Sequence, residues 1–143
     1  MISESVTVHR SLAAVFNAFA DLENWKRVLP DVLGVDILYD DGCHQEFLMT
    51  VERPKGAEMI RGIRFCQPND HIELFQPVPP PGFQSMTGRW TFQEQQDKVT
   101  VTAERWFTLA PNNDLNDEEM GEKLRCYLRH NLGLFQASLE RGA

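Results

Sequence analysis

Cysteine is scarce in this sequence. Its three residues, Cys43, Cys66 and Cys126, are an odd number with no C-x-x-C spacing. That argues against a disulfide framework and suits small thiols in a reducing cytoplasm. No apolar run approaches the roughly 20 residues of a membrane-spanning helix. The stretch Met1-Ile2-Ser3-Glu4-Ser5-Val6 lacks the basic and apolar regions of a signal peptide. The expectation is a cytoplasmic chain with no stable membrane insertion. Positive charge is also short, 14 Lys and Arg against 21 Asp and Glu, a net charge of −7. A phosphate-backbone binder needs the opposite balance, so nucleic acid is not an expected partner, nor is an anionic membrane surface. The histidines, His9, His44, His71 and His130, show no H-x-H or H-E-x-x-H spacing, which points to no metal site. No G-x-S-x-G, P-loop or dinucleotide fingerprint is present.

What the chain does have is a core. Of 143 residues, 42% are hydrophobic and 24% charged, ordinary values for a globular protein of one domain, here 1–143. No repeat or linker divides it.

Val6-Thr7-Val8 alternates as a strand. Ser11 can cap a helix carrying Leu12, Val15, Phe16 and Phe19, and Asp21 can cap a second, short one, Leu22 to Val28. Strands follow: Val35, Ile37 and Tyr39 before the turn Asp40-Asp41-Gly42, then Phe47, Met49 and Val51, then 57–67, then His71 to Gln76. The run Pro77-Val78-Pro79-Pro80-Pro81-Gly82 is a stiff loop. Met86, Gly88, Trp90 and Phe92 share one face of the next strand, and Val99, Val101, Ala103, Arg105, Phe107 and Leu109 one face of the last. Asn116 with Glu119 three residues later is a capping-box pattern. It opens a helix of about 24 residues near Asp117, with Met120, Leu124, Leu128, Leu132, Phe135 and Leu139 on one stripe. The expected class is α+β: a curved, seven-stranded antiparallel sheet wrapped round a long C-terminal helix, with two short helices after the first strand. Apolar surface on both layers points to a pocket between them.

Four strings stand in a telling order: Asp21-Leu22-Glu23-Asn24-Trp25, Gly34-Val35-Asp36-Ile37-Leu38, Gly82-Phe83 with Met86 and Arg89-Trp90-Thr91-Phe92, and Glu104-Arg105-Trp106-Phe107 before Pro111. Together they resemble the START/Bet v1-like helix-grip superfamily, and within it the polyketide cyclase/dehydrase proteins, which include aromatase/cyclases. The resemblance covers nearly the whole chain. It implies a helix-grip fold, a hydrophobic small-molecule ligand, no cofactor, and substrates carried on acyl carrier proteins. It also implies a catalytic arginine at Arg64. The family's tyrosine position falls near Val32, and its helix asparagine near Arg125, with Asn131 the nearest asparagine.

The residues of strand 57–67 leave an alternative open. Met59, Arg61, Ile63 and Phe65 form one face; Glu58, Ile60, Gly62, Arg64 and Cys66 form the other. The apolar count turns Arg61 inward, the resemblance turns Arg64 inward, and a bulge would reconcile them. Arg105 is either a core-edge arginine paired with Glu94 or Glu46, or a pocket cation for a carboxylate or enolate. Trp25, Met86, Trp90 and Phe107 are candidate walls for a flat ligand. Tyr39, Tyr127 and Glu58 are candidate acid–base groups. Lys123, Arg125 and Arg129 make a basic patch that would offset the net charge toward an acidic carrier protein. Arg64, Trp25, Tyr39, Met86, Trp90, Arg105, Phe107, Arg125, Tyr127 and Asn131 are thus the candidate site residues. Two functions are compatible with them. One is cofactor-free cyclisation or dehydration of a poly-β-ketone, with Arg64 holding the oxyanion. The other is non-catalytic carriage of a lipid, isoprenoid, quinone or pigment. The expected assembly is a monomer or homodimer.

Overall fold

Local capping sets the helix boundaries. In a computed structural model describing residues 1–141, the first strand, β1 (Ile2–Val8), leads to Ser11, whose hydroxyl accepts from Ala14 N at 3.2 Å and opens α1 (Leu12–Ala20). Asp21 accepts from Glu23 N at 3.1 Å and opens α2 (Leu22–Val28). Six strands follow: β2 (Val32–Asp40), β3 (His44–Arg53), β4 (Gly56–Gln67), β5 (His71–Phe75), β6 (Phe83–Gln95) and β7 (Lys98–Leu109). The long helix α3 (Asp117–Glu140) runs through Gly133 without a break. Its capping box is complete: Glu119 N donates to Asn116 Oδ1 at 2.8 Å and Asn116 N to Glu119 Oε1 at 3.1 Å. Asn116→Ala is expected to cost about 1 kcal/mol. Thermal unfolding should register this as a fall of about 3–5 °C; an unchanged melting point would show that packing alone holds this end.

The seven strands form one antiparallel sheet in the order β1-β7-β6-β5-β4-β3-β2. The β2–β3 turn is tied by Asp41, whose Oδ1 accepts from Cys43 N and His44 N at 2.9 and 2.6 Å. Those two backbone donors hold the Asp41 carboxyl far below the usual carboxylate range. Gly42, at φ +91°, supplies the left-handed step.

The strand with the ambiguous arginines is regular. β4 pairs with β3 from Arg53↔Gly56 to His44↔Phe65 without a shift, so no bulge reconciles its two faces. Arg64 points inward and is buried. Arg61 points outward and pairs with Glu46. The apolar count fails here because Met59, Ile63 and Phe65 line the outer surface of the sheet, where Met59 is 62% exposed. On the inner face Gly62 gives up its side-chain space to the Phe47 ring, whose centre lies 6.0 Å from the Arg64 guanidinium carbon.

α1, α2 and α3 cover the inner face. Phe16 and Phe19 join α1 to Phe92 of the sheet and Phe135 of α3, with Phe19 and Phe135 stacked at a centroid distance of 4.2 Å, and Trp25 joins α2 to Trp90. No helix among the described residues is long and apolar enough to cross a membrane.

Candidate functional site

Between α3 and the inner face of the sheet lies a cavity of about 870 Å³. It is long enough in volume for one drug-sized molecule. Its deep end is aromatic, built from Phe19, Trp25, Trp90 and Phe135. Trp25 meets Trp90 edge-on at 5.6 Å and Phe135 at 5.1 Å. Its mouth lies among exposed residues of the β3–β4 turn, the proline loop and the start of α3: Pro54, Lys55, Pro81 and Lys123.

Arg64 sits at the deep end, 1% exposed. Its Nε donates to Gln45 Oε1 at 2.9 Å, and its Nη2 donates to Phe19 O and Ala20 O, each at 2.9 Å. These carbonyls belong to the last turn of α1, where the helix dipole is negative. Gln45 faces Arg64 across the β3–β4 ladder, and its own Nε2 donates to Ala20 O at 2.8 Å. The guanidinium carbon lies 5.6 Å from the ring centres of both Trp25 and Trp90. Burial pushes the Arg64 pKa down to about 10, opposed by the fields of Cys66 and Asp40. Arg64 is therefore a cation at neutral pH, held by carbonyls and rings rather than by a carboxylate. Its Nη1 is buried without a hydrogen-bond partner, and so is Oδ1 of Asn131 on α3. Both residues line the cavity.

Arg105 also lines the cavity, so both inward arginines reach it. Its guanidinium lies 4.6 Å above the Trp90 ring, and Nη1 donates to Glu104 O at 2.8 Å. The expected ion pair with Glu94 or Glu46 does not form: Glu46 is taken by Arg61, and among the described residues no carboxylate pairs with Arg105. Burial pushes its pKa down to about 10, against the raising field of Tyr127.

Trp25, Met86, Trp90, Tyr127 and Asn131 stand in the cavity wall with Arg64 and Arg105. Three candidates do not. Tyr39 is 54% exposed, because a register shift after Ile37 turns it outward, where its hydroxyl donates to Asp41 Oδ2 at 2.9 Å. Phe107 packs edge-on against Phe83 at 5.8 Å, and Phe83 takes the place in the wall. Arg125 lies on the solvent side of α3, where Nη1 meets Glu122 at 3.4 Å. Arg129 is likewise taken by Glu4, at 3.1 Å, so the basic patch shrinks to Lys123. Glu58 lines the mouth, 3.9 Å from Arg53. Sequence reasoning missed Gln45 and Phe47. Both were findable once Arg64 faced inward, since Gln45 is its cross-strand partner and Phe47 is opposite Gly62.

The family described as polyketide cyclase / dehydrase and lipid transport matches residues 8–115. No curated protein matches the chain. Among solved structures, the di-domain ARO/CYC StfQ of the steffimycin biosynthetic pathway is 21% identical, with a TM-score of 0.85 over 99% of this chain and 52% of its own. The chain thus spans about half the length of that protein. The Zhui aromatase/cyclase of a Streptomyces species is 20% identical, with a TM-score of 0.83 over 98% of this chain and 93% of its own. A START superfamily protein from Mycobacterium smegmatis is 16% identical, with a TM-score of 0.83 over 99% and 98%. At these identities the likeness is one of fold.

Proposed function

The chain belongs to the polyketide cyclase / dehydrase and lipid transport family, and on that footing we propose that its cavity takes up one aromatic or polyketone molecule and holds a carbonyl of it at Arg64. The observation that carries this reading is that two residues lining an aromatic cavity, Arg64 and Asn131, each hold a buried polar atom without a partner, Nη1 and Oδ1. A buried donor and a buried acceptor without partners are costly unless something meets them. A carbonyl would accept from Arg64; an enol or hydroxyl would donate to Asn131. Trp25 and Trp90, set edge to face, would offer a flat ring one stacking face and one edge.

In a cyclisation, an enol carbon of the chain bonds to a ketone carbon as the enol becomes a carbonyl, the ketone oxygen takes up the negative charge, and the proton released from the enol hydroxyl neutralises it. A guanidinium fixed by three hydrogen bonds is pre-organised for that oxyanion, and a closed apolar wall folds the chain for attack. Loss of water from the resulting alcohol would complete aromatisation. The chemistry needs no cofactor. Tyr127 and Glu58 are the acid–base candidates that remain in the cavity, Glu58 at its mouth.

One observation favours the alternative of carriage without turnover: among the described residues no carboxylate or histidine lines the deep end, and Glu58 is at the mouth with Arg53. An acidic carrier protein delivering substrate in the cytoplasm would meet Lys55 and Lys123 at that mouth.

Native mass spectrometry of the freshly purified protein, followed by titration with a hydroxylated naphthalene, tests the reading. The expected result is one molecule bound per chain. Leu124→Trp, which fills the cavity from α3, should abolish binding with the melting point retained. Asn131→Leu should weaken it about 3- to 10-fold, the worth of one hydrogen bond. Undiminished binding by Leu124→Trp would place the ligand elsewhere.

A further inference from the structure

We propose that Arg105 is a carboxylate-binding group, so that the ligand of this cavity carries an ionised acid inside it, at a station separate from Arg64. This rests on the cavity being a ligand site, and it names the chemical class of the ligand.

The chain as a whole is −7, yet its cavity is lined by Arg53, Lys55, Arg64, Arg105 and Lys123 against Glu58 alone. Arg53 lies 3.9 Å from Glu58 and from Asp31. Among the described residues the other four cations have no ion-pair partner. A cavity walled by apolar groups and lined by one sign of charge concentrates the opposite charge.

Arg105 is fixed in place on three sides. Trp90 lies beneath the guanidinium plane at 4.6 Å. Nη1 is bonded to Glu104 O. Its cross-strand partner is Gly88, and a Cβ there would stand 2.6 Å from Nη1 and 3.0 Å from Cδ and Cζ. The absence of a side chain at residue 88 is what lets the guanidinium lie flat. Nε and Nη2 make no hydrogen bond among the described residues, and neither is fully buried. That edge of the guanidinium is the fork that grips a carboxylate through two parallel bonds. Tyr127, also in the cavity wall, lies near enough for its field to act on Arg105. Its ring is covered by Arg53 at 5.3 Å. The Tyr127 hydroxyl makes no hydrogen bond among the described residues and can supply a further donor. Arg64 is unsuited to this role, since Nε and Nη2 are already bonded to protein and Nη1 alone is left.

The test compares two isosteric probes, 2-naphthoate and 2-naphthamide, titrated into the intact protein with tryptophan fluorescence as the signal. The wild type should prefer the acid by roughly 10- to 100-fold, the range for charge-assisted hydrogen bonds. Arg105→Met should erase that preference and leave naphthamide affinity within about 3-fold, since methionine keeps most of the volume but carries no donor. Gly88→Ala keeps the arginine but displaces it from Trp90, and should lower the preference at least several-fold. This second variant decides the matter if Arg105→Met does not fold. Equal binding of the two probes by the wild type, or an undiminished preference in both variants, would overturn the proposal. So would tighter binding of 1-naphthyl phosphate than of 2-naphthoate. If neither naphthalene binds, the ligand-site reading of the cavity itself has failed, and this proposal with it.

Discussion

Arg64→Met is expected to lower stability by about 2–4 kcal/mol, a fall in melting temperature on the order of 10 °C. Three charge-assisted hydrogen bonds disappear, to Gln45, Phe19 and Ala20. The loss is limited by what remains. Phe19 O keeps the Trp25 Nε1 donor at 2.9 Å, and Ala20 O keeps Gln45 Nε2. Removing the charge also removes the cost of burying it. Arg64→Lys should fall between, since an ammonium keeps the charge but reaches fewer of the three acceptors. Arg105→Met should behave oppositely. One backbone bond is lost while a desolvated cation is removed, so stability should change by less than about 1 kcal/mol or rise. Chemical denaturation of the three variants separates these roles. Equal losses for Arg64→Met and Arg105→Met would refute the assignment of Arg64 as the anchor of α1. If the protein turns over a polyketone, Arg64→Met should also slow it by roughly 10²–10³, the usual loss for one oxyanion donor.

The same comparison has a pH dependence whose sign is fixed. The Arg105 pKa is about 10 in the folded chain, below the ordinary arginine value that the unfolded chain keeps. The folded state therefore sheds its proton first, and the cost of the buried cation is complete below pH 10 and declines above it. Any stability advantage of Arg105→Met at neutral pH should narrow as the pH rises through 10. A widening gap would contradict the burial.

Phe135→Ala should have the largest effect on the fold, a loss of about 3–5 kcal/mol in denaturant unfolding. Phe135 is 1% exposed. Its ring stacks on Phe19 and meets Trp25 edge-on, contacts that add to the burial itself. It is also the residue through which α3 closes the deep end, so the void left by alanine would open into the ligand cavity. A hydrophobic ligand bulkier than the wild type's should then recover part of the loss. Phe135→Leu should cost roughly half as much. A deficit below about 1 kcal/mol for alanine would mean that α3 is held by its ends.

Features with local causes were legible in the residues. Ser11, Asp21 and Asn116 cap the helices they were expected to cap, because a short polar side chain needs only the next turn of its own backbone. The α3 stripe from Met120 to Leu139 was readable for the same reason. Features decided across the sheet were not. Met59 and Ile63 face outward although they are apolar, and Arg64 faces inward although it is charged, because the deciding contacts come from Phe19, Ala20 and Gln45, which lie 45, 44 and 19 residues away. Tyr39 missed the cavity through one register shift, which reverses every side chain beyond it. The Arg105 setting depends on Trp90 and Gly88, both on the neighbouring strand. Its alternation was visible, but its lack of a counter-ion was not.

The order of the strands bears on how the chain reaches this state. From β2 to β7 each strand lies beside its successor, so five pairings can close through short connections. β1 alone crosses to the far edge, where Ser5 meets Thr102, 97 residues away in the chain. Closing so long a loop is entropically slow relative to the hairpins. Until β1 arrives, the outer edge of β7 is an unpaired strand open to other chains. Refolding should therefore be more prone to aggregation when β1 is weakened than when any interior strand is weakened by the same amount. Polar residues along β1, such as Ser3, Glu4 and Ser5, limit that hazard by keeping the late-docking segment itself soluble.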